Sequence, residues 1–540
     1  MSALPSTPQL TVEISSPNAA VNSLIDNLVG ERVASALANQ DATLWGPQAQ
    51  AEAARRLAWV SLPTTSRPLL ATIDALWAEL HSDGIDRVVL AGMGGSSLAP
   101  EVICATSEVP LTALDTTDPG EVADALAGDL RRTVLVVSSK SGSTVETDSH
   151  RRVFTAAFGA AGLDPAAHLV VVTDPGSPLQ RLAEEQGYRA VITAEPNVGG
   201  RYSALTAFGL VPAGLARADI ANLLDNAERY APLLAADDPA NPALRLAATL
   251  AVGHAAGAEK VVLADTGSGI VGFADWAEQL IAESTGKAGT GLLPVVVPNS
   301  GAPGFADAGP DATLVAIGPS STAAVAVSGT LGGQFLLWEH AVAVVGRLLG
   351  INPFDQPDVE AAKVAARAQL DALNKPAARP APAFVEGDVA VYPVGDWLPT
   401  GVATLSDALR ALISAAPPRG YLAVQAYLDR IADASAAVLR TELARRSRLQ
   451  TTFGWGPRYL HSTGQYHKGG HQNGAFLQLT GAVTTDIPVP GTEFTLGDLQ
   501  QAQAWGDADV LAAHGRPVLR VHLLDRPAGL VALAHAMQEL

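Results

Sequence analysis

Five short stretches of this 540-residue chain gather residue types that bind anions or move protons. The first is Gly92-Met93-Gly94-Gly95-Ser96-Ser97, which follows an apolar run and precedes a helical pattern. Glycines there let the backbone come close to a ligand, and a helix N-terminus favours negative charge. A dinucleotide loop would want Gly or Ala where Ser97 stands, and Asp115 only loosely fits its acidic position. A plain tight turn is the ordinary alternative. The second is Ser138-Ser139-Lys140-Ser141-Gly142-Ser143-Thr144, again between a strand and a helix. Hydroxyls, one lysine and backbone N–H groups at a helix start make a cradle for a phosphate monoester. It lacks the Gly-Lys-Ser/Thr ending of a Walker loop, and simple helix capping is its bland reading.

The third stretch, Asn197-Val198-Gly199-Gly200-Arg201-Tyr202-Ser203, projects an arginine from a glycine-rich turn. Such a cation can stabilise a developing oxyanion, or it can make an ordinary surface ion pair. Glu283-Ser284-Thr285-Gly286-Lys287 closes an apolar helical stretch. A carboxylate there is a general base if burial and neighbours tune it, and otherwise a solvated side chain. In Phe354-Asp355-Gln356-Pro357-Asp358-Val359-Glu360-Ala361-Ala362-Lys363, Gln356 and Lys363 are seven apart. On a helix they would share one face, whether lining a site or facing solvent.

The elements that must position these residues alternate. The segment to Ser82 carries helical spacing in Val21–Leu37 and Pro68–Leu80. Strands follow at Arg87–Ala91, Thr133–Val137, Leu169–Thr173 and Ala190–Thr193, with a helix at Pro178–Gln186. A second series has helix Ala243–Ala256, strand Lys260–Ala264, helix Gly272–Ala282, strands Leu293–Val297 and Thr313–Ile317, and helix Gly329–Leu349. Alternation of this kind predicts parallel sheets with crossover helices, and two βα lobes with a ligand site between them. A Pro/Ala-rich linker is expected over Asn374–Ala383. Beyond it lie strands near Val389–Tyr392, Tyr421–Gln425 and Val518–Leu523, and helices Tyr427–Arg446 and Ala528–Leu540. The expected division is a helical segment at 1–82, lobes at 83–235 and 236–373, and a C-terminal α/β region at 384–540.

Composition narrows the function. Hydrophobic residues make up 48% and charged residues 16% of the chain, which suits a globular protein. A formal charge of −19 argues against nucleic acid and anionic membranes as partners, while a few local donors still permit a small anionic substrate. Cys104 is the only cysteine, which excludes an internal disulfide and points to a reducing compartment. Met1 to Glu13 does not read as a secretory signal. The charge-free stretch Ala312–Trp338 is rich in Gly, Ser, Thr and Ala, and reads as buried strand, loop and helix rather than a membrane span.

Taken in order, the five stretches resemble the phosphoglucose isomerase family, over about half of the chain from Ala91 to Lys363. The resemblance implies two doubly wound sugar-isomerase (SIS-type) lobes and a cytoplasmic enzyme interconverting glucose 6-phosphate and fructose 6-phosphate through a cis-enediolate. It implies no cofactor and no metal. Gly95 and Ser96 would then contact the sugar, and Ser139, Lys140, Ser141 and Thr144 would hold the phosphate. Arg201 would stabilise the enediolate, Glu283 would be the base, and Gln356 and Lys363 would contact the substrate. Whether mannose 6-phosphate is also accepted stays open, as does a homodimer, since family members commonly share a histidine across a dimer interface.

The chain also departs from the family pattern. Pro196 stands where an acidic residue is usual, and Asp358 replaces a glycine. No histidine lies between Glu283 and His340, where family members carry a ring-opening histidine. Downstream, Leu460-His461-Ser462-Thr463-Gly464-Gln465-Tyr466-His467-Lys468-Gly469-Gly470-His471 is similar to the missing string. This region resembles the isomerase part of actinobacterial transaldolase–phosphoglucose isomerase fusions. Ring opening is assigned to His467 assisted by Lys363, by proton transfer at O5 and O1, with His461 and His471 as rivals to His467; a metal site on the three histidines is the weaker alternative, because no carboxylate stands close by. Two other readings compete with an isomerase. A non-catalytic sugar-phosphate-binding regulatory module has no need of Glu283, Arg201 and Lys363 together. A nicotinamide-dependent dehydrogenase would use the Gly92 loop.

Overall fold

The runs Arg87–Gly92, Thr133–Ser138 and Leu169–Thr173 are apolar on both faces, the pattern of strands covered on both sides. In the computed structural model, which describes residues 9–16, 18–357, 364, 367, 368, 370 and 381–540, they are the inner strands of a parallel sheet. Its order is Thr112–Leu114, Arg87–Gly92, Thr133–Ser138, Leu169–Thr173, Ala190–Thr193. From Arg87–Gly92 the chain first adds a strand on one side and then continues on the other. In open α/β sheets, ligands bind beyond the strand C-termini where the order reverses in this way. Gly92 is paired with Ser138, so the Gly94–Ser97 and Ser139–Thr144 loops leave the sheet side by side at that point.

A second sheet has the order Thr11–Ile14, Val325–Ser328, Ala312–Ile317, Lys260–Asp265, Leu293–Val297, parallel except for its first strand. Helix Phe273–Thr285 follows the inner strand Lys260–Asp265 and ends near Glu283. The third sheet runs Phe384–Glu386, Val389–Val394, Val518–Leu523, Gly474–Gly481, Tyr421–Tyr427, Gln450–Trp455. Its two leading strands are antiparallel and its last four parallel. The architecture is the expected α/β class with mostly parallel sheets.

Several elements differ from the sequence reading. The segment expected to be helical opens with strand Thr11–Ile14, whose residues pair with Val325–Ser328. Four residues are too few for their alternation to stand out, and the pairing partner lies more than 300 positions away. The helix expected over Tyr427–Arg446 is instead the end of a strand, a turn and helix Val438–Ser447. Tyr427 pairs with Thr480, and the Asp429 carboxylate then accepts from the Ile431 and Ala432 N–H groups, making a turn that competes with helix. Helix Leu496–Ala513 escapes pattern reading because its buried side chains include Gln500, Gln503 and Asp507, which break the apolar stripe; only its Thr495–Asp498 capping box marks it. Lys363 and residues 374–380 of the expected linker lie outside the described residues. Ala312–Trp338 forms two strands and the start of helix Leu331–Leu348, and no described helix is long and apolar enough to cross a membrane.

One hydrophobic cluster joins the N-terminal helices to both of the first two sheets, and another packs the second sheet against Tyr421, Tyr466, Phe476 and Val518 of the C-terminal region. Arginines also dock the C-terminal region onto the first sheet. Arg430 meets Glu101 and Glu121 at 2.8 and 2.9 Å, Arg458 meets Glu101 and Asp115 at 2.6 and 3.0 Å, and Arg526 meets Asp118 at 2.8 Å. Burial alone would raise the Glu101 carboxyl; Arg458 and Arg430 outweigh it and pull it down to about 2. Replacing Arg458 with Met leaves these carboxylates short of a partner. Removing one partner of a buried pair costs about 3–5 kcal/mol, so Arg458→Met should lose stability of that order in a denaturant titration, against little change for the exposed Arg410→Met.

Candidate active site

The hydroxyl-rich loop after strand Thr133–Ser138 is internally bonded. Ser139 Oγ and Thr144 Oγ1 are 2.9 Å apart, and Ser139 Oγ also accepts from the Gly142 N–H at 3.2 Å. Ser141 Oγ accepts from the Ser143 N–H at 3.2 Å. Gly142 adopts a φ of +68°, which reverses the chain so that Thr144 opens helix Val145–Ala160. Lys140 is partly buried and is engaged by other groups: its ammonium pairs with Asp174 and donates to the Pro196 carbonyl at 3.2 Å. Burial lowers its pKa despite the carboxylate beside it. The lysine thus ties this loop to the turn that carries Arg201.

That turn, Gly200–Tyr202, sits against Gly95. A Cβ added at Gly95 would lie 1.9 Å from the Gly200 carbonyl oxygen, so only glycine permits the approach. Arg201 is 2% exposed and donates from Nη1 to Glu283 Oε2 at 3.0 Å. Its Nη2 donates to the Pro353 and Asp355 carbonyls at 2.8 and 2.9 Å. Lys287 binds the same loop, donating to the Asn352 and Asp355 carbonyls and, at 2.7 Å, to the Asp355 carboxylate. Held in this way, the loop presents Gln356, whose Nε2 donates to Glu283 Oε2 at 3.1 Å. Trp59 stacks on Tyr202 and Trp45 packs edge-on to Phe354, so the N-terminal helices brace both the arginine turn and the glutamine loop.

Glu283 is buried and accepts from three donors: Arg201, Gln356 and, through Oε1, Gln279 Nε2 at 3.2 Å. Gln279 lies one helical turn before Glu283 and also donates to the His461 carbonyl at 2.9 Å. Gly94, at φ +58°, leaves room for both Gln279 and the His461 backbone; a Cβ there would meet them at 2.8 and 3.0 Å. His461 Nε2 lies 3.0 Å from Glu146 Oε1, in the first turn of the helix after the hydroxyl-rich loop. Burial would raise the Glu146 carboxyl, but the charge and hydrogen bond of His461, with His150, hold it below the usual range. Two buried polar atoms of the cluster, Arg201 Nε and Gln279 Oε1, have no partner among the described residues.

The geometry therefore brings Gly95, Arg201, Glu283 and Gln356 together, and links them through Gln279, His461 and Glu146 to the helix that begins just after Thr144. Ser96 is buried in the turn beside Gly95, whereas Lys363 lies outside the described residues. His467, the histidine expected to face the site, goes elsewhere. It is 2% exposed among Tyr421, Tyr459 and Phe476, with Nδ1 3.0 Å from the Tyr421 hydroxyl, and burial, together with Lys468 and Arg516, holds its pKa well below the ordinary value. Its place is set by an aromatic core, for which helical register rather than chemistry selects the residue. His471 is exposed and meets Glu259 at 2.9 Å. The rival His461 is the one that reaches the cluster, and the three histidines converge on no common point; among the described residues no group of His, Cys, Asp and Glu is placed to hold a metal ion.

Sequence reasoning overlooked Gln279 and Glu146. The i−4 spacing of Gln279 from Glu283 on one helix was a usable signal. Glu146 had none, since its partner is 315 residues away.

Lys287 supplies a handle on the glutamine loop. Burial and Arg201 lower its pKa to about 8, against the pull of Asp355 and Glu283. Above that pH the ammonium loses its charge and its hold on Asp355. We expect kcat/KM to fall as pH rises through about 8, and Lys287→Arg, which stays charged, to move that limb upward in a pH–rate profile; an unmoved limb refutes the assignment. Stability runs the other way. The folded pKa lies below the unfolded one, so the burial penalty is complete below about 8 and is relieved as pH rises toward 10.5.

Comparison with known proteins finds similarity to one family. A family model described as phosphoglucose isomerase matches residues 64–312. The glucose-6-phosphate isomerase of Thermosynechococcus vestitus is 31% identical over 387 residues, covering 56% of this chain and 71% of that protein. The glucose-6-phosphate isomerase of a Synechococcus species is 37% identical over 211 residues, 36% of this chain and 39% of that protein. Among solved structures, a hypothetical protein from Thermus thermophilus matches with a TM-score of 0.57 at 25% identity, covering 67% of this chain and all of the other. A glucose-6-phosphate isomerase from Chlamydia trachomatis matches with a TM-score of 0.57 at 19% identity, over 68% of this chain and 89% of that one, a likeness of fold.

Proposed function

The chain belongs to the phosphoglucose isomerase family, and on that premise we propose that it interconverts glucose 6-phosphate and fructose 6-phosphate by proton transfer. The observation that carries this reading is the buried Glu283 carboxylate with Arg201 at 3.0 Å and Gln356 at 3.1 Å, connected through Gln279 to His461.

Removing a proton next to a carbonyl is slow in water, because the developing negative charge is poorly stabilised. A fixed base with a fixed cation at its side addresses both parts of the problem. In this reading the phosphate rests on the Ser139, Ser141 and Thr144 loop at the helix N-terminus, with Lys140 anchoring the loop through Asp174. The sugar extends past Gly95 and Ser96 toward Glu283. His461, oriented by Glu146, moves the proton between ring oxygen and anomeric hydroxyl and so opens the ring. Glu283 then takes the C2 proton, and the C–H pair forms the C1–C2 double bond as the carbonyl pair moves to O1, giving a cis-enediolate beside Arg201. The same proton returns to C1 while the O2 hydroxyl proton passes to O1, leaving the C2 ketone. Lys363 follows Gln356 in the chain and is proposed as a further substrate contact. The unpartnered Arg201 Nε and Gln279 Oε1 offer a donor and an acceptor that a polyhydroxylated substrate can satisfy.

General acid–base groups contribute about 10²–10⁴ in rate. Glu283→Gln should therefore lower kcat by a factor in that range in a coupled assay for glucose 6-phosphate formation, with fructose 6-phosphate binding largely intact. Turnover at the parent rate would remove Glu283 from the role. The two histidines separate cleanly: His461→Asn should slow turnover severalfold or more, while His467→Asn should act on thermal stability. The reverse pattern would return ring opening to His467.

A further inference from the structure

The histidine–carboxylate pair at the site does not stand alone. Helix Leu496–Ala513 of the C-terminal region directs Gln503, 3% exposed, at the same Glu146 oxygen that His461 meets. Gln503 Nε2 donates to Glu146 Oε1 at 2.7 Å, and Thr117 Oγ1 donates to Gln503 Oε1 at 2.9 Å. Thr117 is fully buried in the loop after strand Thr112–Leu114, so the chain of bonds starts on the first sheet, crosses to the C-terminal region and returns.

We propose that Gln503 is a positioning residue for the reaction, its side-chain amide fixing the Glu146 carboxylate and, through it, which nitrogen of His461 exchanges protons with the sugar. The inference rests on the isomerase reading above and adds to it a residue from a different part of the chain. The polarity of the bonds leaves one arrangement. An ionised carboxylate only accepts, so Gln503 must turn its NH₂ toward Glu146 and its carbonyl toward Thr117, whose hydroxyl must then donate. His461 likewise must present Nε2–H to Glu146, which leaves Nδ1 as the nitrogen able to take or give a proton at the substrate. Without the second donor on Oε1, the carboxylate can rotate, and both the ring orientation and the tautomer of His461 lose their support.

Gln503 is not needed merely to attach its helix. One turn earlier Gln500 donates to Asp118 at 3.2 Å, and Arg526 meets Asp118 at 2.8 Å, so the docking persists without it. The other titratable groups acting on Glu146 are His150 and Tyr427, both buried.

The test compares Gln503→Leu and Gln503→Glu in the full chain, with glucose 6-phosphate and fructose 6-phosphate as substrates. Gln503→Leu should lose about tenfold or more in kcat at an almost unchanged KM. Gln503→Glu can donate only while one of the two facing carboxyls is protonated, so it should retain activity at the acid end and lose it as pH rises, where the parent enzyme is still active. A purely structural role would lower thermal stability and leave that pH signature out. Parent turnover and a parent pH profile in Gln503→Leu would overturn the proposal. Should Gln503→Leu fail to fold, Thr117→Val breaks the far end of the same chain of bonds; a severalfold loss of kcat supports the proposal and an unchanged kcat overturns it. Glu283→Gln measured alongside separates the two levels. If it is inactive while Gln503→Leu is normal, only the role of Gln503 falls; if it is fully active, the isomerase reading falls first.

Discussion

A carboxylate buried like that of Glu283 must be surrounded by donors, because taking its charge out of water is tolerable only when hydrogen bonds and a counter-ion replace the lost solvation. Each donor comes from a different segment. Arg201 arrives on a turn that closes the first sheet, Gln356 on the loop after helix Leu331–Leu348, and Gln279 from the preceding turn of its own helix. The two sheets and the loop at 352–356 can therefore take up only a narrow range of relative positions. Glycine at 95 and at 94 is a consequence of that closeness, since a Cβ at either position would collide with the Arg201 turn or with the His461 backbone.

The C-terminal region enters the same arrangement through His461. Its carbonyl accepts from Gln279 and its ring meets Glu146, so one residue couples the helix bearing Glu283 to the helix after the hydroxyl-rich loop. Apolar contact supplies the adhesion, as Tyr421, Tyr466, Phe476 and Val518 pack against Val262, Leu293 and Val295 of the second sheet. The arginines at 430, 458 and 526 add direction rather than net attraction. Buried ion pairs roughly repay their own desolvation, but a misplaced docking would leave Asp115 and Asp118 buried without partners. Registry to within a hydrogen-bond length is what a positioned histidine requires.

Individual loops were legible because each is a local pattern. Paired glycines directly before an arginine make a turn with a projecting cation wherever the rest of the chain goes. Hydroxyls before a helix do the same for an anion site. Helices with a clean apolar stripe and strands apolar on both faces could also be read directly. What escaped was either short, as in Thr11–Ile14, or polar inside, as in Leu496–Ala513, where buried Gln500, Gln503 and Asp507 imitate a solvent-facing pattern.

By itself, then, the order of residues determined the α/β class and the hydroxyl- and glycine-rich loops at its strand ends, since these depend on neighbours within a few positions. Only the tertiary structure decided which histidine lies beside the Glu283 cluster. His461 and His467 sit six residues apart in similar glycine-rich surroundings. One turn of helix sends the second into an aromatic core beside Tyr421 and leaves the first against Glu146, a carboxylate 315 positions earlier in the chain. Which of two nearby side chains meets a distant one depends on how whole sheets pack, and no local pattern records that.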